Sequence, residues 1–161
     1  MEQTKFTALK TLKQEFMNIV NEPIISCGVT VGLINQNDMF HWRITMLGPK
    51  NTPYEGGLFT LIADFPDNYP EKAPKIRFTN KIYHCNVNNN GNICINTLSD
   101  WKPGTSIVEV LSLIFALFFE QNPDSAFDSS KAKLYKSNKQ QFDKNAKDCT
   151  LKYANLEKDN N

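Results

Sequence analysis

Residues 39–65 read MFHWRITMLGPKNTPYEGGLFTLIADF. In the first part Phe40, Trp42, Ile44 and Met46 alternate with Met39, His41, Arg43 and Thr45. In the last part Phe59, Leu61, Ala63 and Phe65 occupy every second position. Such alternation marks strands with one buried face, because successive side chains point to opposite sides of a sheet. The link GPKNTPYEGG is built of turn formers. Working outward, GVTVGLIN (28–35) leads in through NQND, and KIRFT (75–79) follows after PDNYPEKAP. Four runs joined by short links predict an antiparallel meander, since a parallel pair needs a long crossover.

The flanks read as helices. In FTALKTLKQEFMNIV (6–20), Phe6, Leu9, Leu12, Phe16 and Ile19 fall three or four apart, which predicts an amphipathic helix with those residues as its buried stripe. Lys10, Lys13 and Gln14 lie on its wet side, and Glu22-Pro23 ends it, because the residue before proline is pushed out of helical geometry. IVEVLSLIFALFF (107–119) reads as a helix buried on nearly all sides, started by Thr105 or Ser106 as cap and stopped by Asn122-Pro123. From Ser129 to about Lys158 the composition is helical, with Tyr135, Phe142, Ala146, Cys149 and Tyr153 in helical spacing. Ser137-Asn138-Lys139-Gln140 fits a capping box, so two helices with a break near Ser137 are expected. The order of elements predicts a single α+β domain over residues 1–161, with its core at about 5–155.

The totals narrow the function. Eighteen Lys and Arg against 17 Asp and Glu leave a near-neutral chain, which gives no support for a nucleic-acid or anionic-membrane partner. The most apolar run has 13 residues and contains Glu109 and Ser112, whereas a membrane span needs about 18 or more apolar residues. No charged start followed by an apolar run and cleavage site opens the chain, so a cytoplasmic or nuclear location is expected.

Residues 83–95, YHCNVNNNGNICI, concentrate the reactive side chains. The stretch NVNNNGN is turn-prone and has no clear period. The cysteines are Cys27, Cys85, Cys94 and Cys149; there is no CxxC pair, and His41 and His84 are the two histidines. Three readings compete from the residues alone. His84, Cys85 and Cys94 could hold zinc, although their spacing matches no common zinc motif. A thiol could act as nucleophile. The cysteines could also be plain buried thiols, a common fate of free cysteine.

An ordered series of motifs bears on that choice: YEGG at 54–57, FPDNYPEKAP at 65–74, His84-Cys85-Asn86, GNICI at 91–95, the WKP turn at 101–103 and EQNPDSAF at 120–127. Together they resemble the ubiquitin-conjugating enzymes, which show a Tyr-x-Gly-Gly turn, a Phe-Pro-x-x-Tyr-Pro loop, a His-Pro-Asn tripeptide and a cysteine about ten residues past that histidine. The resemblance runs from about Thr7 to Tyr153. It implies that Cys94 accepts ubiquitin from an activating enzyme as a thioester and passes it to a lysine of a protein substrate or to a ligase, with no cofactor.

The resemblance also implies roles for the neighbours. Asn86 is expected to support the loop and to help stabilise the oxyanion when lysine attacks, a task suited to an amide donor. His84 is expected to be structural. Cys85 replaces the family proline, which frees one backbone dihedral and adds an N–H, so a less rigid loop is expected. Cys85 itself reads as a small filler, with a regulatory pairing to Cys94 as the alternative. Asn96 and Ser125 stand where many members carry aspartate, and Asp124 and Asp100 are the neighbouring acids. Asn96, Ser125 and Asp124 are therefore expected to shape the lysine entrance.

Partner surfaces follow by the same resemblance. A face for RING-type ligases and the activating enzyme would include Lys10, Lys13, Glu71, Lys102, Pro103 and Gly104. Several members have an aromatic anchor where this chain has Glu71, which argues against HECT-type ligases. Two alternatives accompany the ubiquitin reading: a carrier for another modifier such as NEDD8, and a non-catalytic ubiquitin-presenting variant. By the resemblance, Asn96 is shared with NEDD8 carriers, the two-residue insertion before Trp101 that marks SUMO carriers is absent, and a long N-terminal extension of the NEDD8-carrier kind is not expected. A monomer is expected. A cysteine hydrolase would require a histidine nitrogen within hydrogen-bond reach of the sulfur.

Overall fold

The computed structural model describes residues 1–23 and 28–156. Cys27 and the expected last helical residues, 157 and 158, lie outside them. Helix α1 (Glu2–Asn21) leads into strands β1 (Val29–Leu33), β2 (His41–Leu47), β3 (Leu58–Asp64) and β4 (Lys75–Phe78). A short helix α2 (Asn96–Ser99), helix α3 (Ile107–Ala116), a 3-10 turn (Pro123–Ser125) and helices α4 (Ser129–Ser137) and α5 (Lys139–Tyr153) complete the α+β order.

The sheet is the expected meander, β1-β2-β3-β4, antiparallel at each step. Its register brings Trp42 opposite Ala63, Ile44 opposite Leu61 and Met46 opposite Phe59. Those residues are fully buried, so the alternation of residues 40–65 sets the register: a slip by one would turn the whole apolar set to solvent. Ala8 and Leu12 of α1, Ile107, Val110, Leu111 and Ile114 of α3, and Phe142 and Ala146 of α5 join the inner face in one core cluster. Phe118, just past α3, packs against Tyr54, Phe59, Phe78 and Phe115, tying the sheet to the segment that leads to the site.

Several expectations are corrected. Phe6 is 65% exposed, because the core stripe of α1 runs through Ala8, Leu12 and Ile19; two residues before Ala8, Phe6 is turned about 200° away. Residues 107–119 are not buried all round. The helix stops at Ala116, and Glu109, Ser112, Leu113 and Ala116 form an open stripe at helical spacing. Ser106 is the cap, accepting from Glu109 N–H at 3.2 Å. In the tail the break falls where expected, but Asn138 caps α5 while Ser137 Oγ donates back to Lys133 O. Thr150, not Tyr153, continues the buried stripe of Phe142 and Ala146.

Candidate active site

Residues 84–94 form a tight return rather than a loose loop. Val87 bridges Ile93 in antiparallel fashion, and Cys94 N–H donates to Asn86 O at 2.8 Å. The turn is pinned by Asn88, whose side-chain oxygen accepts from the N–H groups of Asn90 and Asn92. Gly91 (φ 84°) lies so close to β4 that a Cβ there would meet Phe78 O at 1.9 Å, and its carbonyl accepts from Phe78 N–H. Only glycine fits this contact, and it ties the return to the sheet.

Cys94 is half-buried at the wall of an open cleft of about 750 Å³. Asn96 and Thr97 line one side; Leu113, Phe119, Glu120 and the 3-10 turn around Pro123–Ser125 line the other. Cys85 sits differently. It is fully buried in the core, and burial pushes its thiol up to about 11, so the sulfur is protonated at neutral pH. Cys85 and Cys94 are both free thiols, one in the core and one at the cleft. That separation answers the sequence ambiguity between them: Cys94 is the accessible sulfur.

His84 has both ring nitrogens engaged. Nε2–H donates to Leu117 O at 2.9 Å, and Nδ1 accepts from Asn86 N–H at 2.9 Å. These partners require the neutral tautomer with the proton on Nε2. Burial is the main cause that lowers its pKa to about 4. The Leu117 carbonyl opposes that shift and Lys131 adds to it. The ring therefore offers no free lone pair to a zinc ion and no base to Cys94. His41 stands on β2, ion-paired with Asp38 at 2.7 Å, and is not among the residues that line the Cys94 cleft. The zinc and hydrolase alternatives thus have no free histidine at the Cys94 cleft.

Asn86 is completely buried. Its Nδ2 donates to Asn122 O at 2.7 Å and to Ser125 O at 3.2 Å, while its Oδ1 accepts from Asn122 N–H at 2.8 Å. In this state the amide holds the cleft wall to the Cys94 return and points no spare donor at the sulfur. Ser125 Oγ accepts from Asn122 Nδ2 at 3.4 Å. Asp124, one of the acids on the cleft wall, forms an ion pair with Lys136 at 2.6 Å. Asn96 opens α2 and lines the cleft, whereas Asp100 follows that helix and is not among the lining residues. Glu120, which sequence reasoning passed over, is an exposed carboxylate on the cleft wall.

The N–H that Cys85 carries is not loose. It donates to Gln121 Oε1 at 2.8 Å. Gln121 Nε2 donates to the Tyr54 hydroxyl at 2.7 Å, which in turn donates to Tyr83 O at 2.7 Å. The donor that comes with Cys85 in place of proline thus has a buried acceptor. Tyr54 and Gln121 lie in motifs noted above, but their pairing was missed, because partners 67 residues apart carry no local sequence signal.

The elements of the expected partner face are joined by partly buried polar links. Glu15 of α1 accepts from the Tyr69 hydroxyl at 2.5 Å and from Ile107 N–H at 3.0 Å. Trp101 Nε1 donates to Pro70 O at 2.7 Å. These contacts join α1, the loop before Glu71 and the turn of Lys102, Pro103 and Gly104; Lys10, Lys13, Glu71 and the turn residues are all exposed. Among the described residues no cluster of His, Cys, Asp and Glu could hold a metal, and no helix is long and apolar enough to cross a membrane.

Compared with known protein families, residues 11–150 match the family model described as ubiquitin-conjugating enzyme. The match spans the sheet, the Cys94 return, the cleft wall and most of α5.

Proposed function

The chain belongs to the ubiquitin-conjugating enzyme family, whose members are transferases, and from that premise we propose that Cys94 carries the modifier as a thioester. The observation that carries this reading is the contrast between sulfurs: Cys94 lines the open cleft while Cys85 is sealed in the core. The Cys94 thiolate attacks the carbonyl of the thioester on an activating enzyme. That enzyme's sulfur leaves and takes up a proton, and the acyl group is retained in activated form without a metal or cofactor. ATP is consumed upstream. In the second step a substrate lysine attacks the same carbonyl, a C–N bond forms, the C–S bond breaks and Cys94 regains its proton.

Lysine must lose a proton to attack, and its ordinary pKa is about 10.4. Asn96 and Ser125 offer no carboxylate, and Asp124 is ion-paired with Lys136, which leaves Glu120 as the other carboxylate on the cleft wall. Deprotonation then leans on Glu120, on desolvation at the cleft wall and on a bound ligase. Asn86 serves the step chiefly by holding the wall. Its longer bond, to Ser125 O, is the one that can be exchanged for a developing oxyanion. RING-type ligases and the activating enzyme would dock on the face of Lys10, Lys13, Glu71 and the Lys102–Gly104 turn.

A charging reaction tests the reading. The protein is mixed with activating enzyme, ATP and ubiquitin and resolved on a gel without reductant, alongside Cys94→Ala and Cys85→Ala. A thiol-sensitive adduct lost in Cys94→Ala and kept in Cys85→Ala is expected. An adduct with another modifier alone would reassign the cargo, and no adduct with any would move the chain to the ubiquitin-presenting class.

A further inference from the structure

The family tripeptide has a proline where this chain has Cys85, and the structure fills that place with a hydrogen bond. Gln121 is 7% exposed, and both polar atoms of its amide are engaged, Oε1 accepting from Cys85 N–H and Nε2 donating to Tyr54. Tyr54 is itself fully buried, and burial holds its hydroxyl well above the ordinary phenol pKa, so it stays a donor to Tyr83 O. Residue 85 is gripped on its other side too, where Phe127 N–H donates to Cys85 O at 3.1 Å.

The neighbour repeats the pattern. Gln121 holds residue 85, and Asn122 holds Asn86 through its own N–H and carbonyl. Asn86 O then accepts from Cys94 N–H. Two consecutive residues of the cleft wall thus clamp two consecutive residues of the return, and the return carries the reactive sulfur. We infer that Gln121 is a positioning residue for the transfer step: its amide replaces the proline ring in fixing residue 85, and so fixes where Asn86 and Cys94 stand relative to the incoming lysine. This rests on the proposed role of Cys94.

The inference makes a prediction of sign. Gln121→Leu leaves Cys85 N–H buried without an acceptor. Cys85→Pro leaves Gln121 Oε1 buried without a donor. In the double variant both orphaned groups are gone, and a proline ring again fixes the backbone. Each single change is therefore harmful and the second rescues the first, whereas two independent structural lesions would add.

Two readouts test it on the full chain. The first is amide hydrogen exchange at Asn86 and Cys94, which needs no modifier. The second is single-turnover discharge of the preformed thioester to free lysine, followed against lysine concentration. Gln121→Leu is expected to speed exchange at both amides about tenfold, with amides of β2 and β3 unchanged. It should lower the maximal discharge rate about tenfold, with the half-saturating lysine concentration within about twofold of wild type. Adding Cys85→Pro should restore both.

Unchanged exchange in Gln121→Leu would overturn the inference. So would accelerated exchange with wild-type discharge, because Gln121 would then hold the loop without bearing on transfer. Additive rather than compensating effects in the double variant would overturn it as well. A wild-type protein that cannot be charged at all defeats the proposed function instead. The exchange data would still decide in that case whether Gln121 and Cys85 act as one unit.

Discussion

At residue 84 the sequence offered a temptation, a histidine beside a cysteine, and its surroundings remove it. A ring with one nitrogen donating to Leu117 O and the other accepting from Asn86 N–H has no proton to exchange with Cys94. The same burial makes His84 a source of acid sensitivity. Its folded pKa of about 4 lies below the usual value near 6.5, so below pH 6.5 the unfolded chain takes up a proton that the folded one refuses. Stability from this group is complete above about pH 6.5, falls as pH drops, and is lost by about pH 4, a total of about 3 kcal/mol. Denaturant titrations between pH 7 and 4 should show this slope in wild type and a shallower one in His84→Gln, whatever the variant's starting stability. At the cleft wall, Ser125→Asp should raise lysine discharge roughly tenfold by adding a proton acceptor. The measurement is single-turnover discharge across pH, and an unchanged profile would show that position 125 does not reach the amine.

At the scale of elements, two polar groups decide how parts meet. Glu15 sits within a helix whose apolar spacing suggested nothing unusual, yet it accepts from Tyr69 and from the first N–H of α3. Glu15→Ala leaves both donors unpaired and should cost about 1–3 kcal/mol. Chemical denaturation measures this, and docking of a RING-type ligase should weaken with it, because α1, the Tyr69 loop and the Trp101 turn lose their common tie. Gly91→Ala should be more damaging, as its Cβ would collide with the backbone of β4. A folded variant with wild-type charging would show that the return can move away from the sheet at no cost. The strands, by contrast, were plain in the sequence. Burial alternates strictly over 41–47 and 58–64, and the every-second-residue apolar set Trp42, Ile44 and Met46, then Phe59, Leu61 and Ala63, is local enough to be read from the sequence.

At the scale of the whole molecule, legibility follows how local each determinant is. The meander, the helix order and the break between α4 and α5 rest on periodicity and capping within a few residues, and they were readable. The stripe of α1 was misjudged because Phe6 carries more hydrophobic weight than Ala8, while close packing in the core favours the small residue. The burial of residues 107–119 was overread because composition cannot say which face of an apolar helix lines a cleft. The candidate site was legible only in part. Cys94 followed from the resemblance carried by ordered motifs. The Gln121, Tyr54 and Asn122 clamp did not, since its partners are separated by 36 residues or more in the chain.

The central claim is that one sulfur, Cys94, carries the modifier. The most direct measurement is intact mass followed by peptide mapping of the charged protein, prepared with activating enzyme, ATP and ubiquitin and kept free of reductant. The account predicts one ubiquitin per chain, lost on adding thiol, with the modified peptide containing Cys94. An adduct mapped to Cys85 or Cys149, or one that survives thiol treatment, would contradict it.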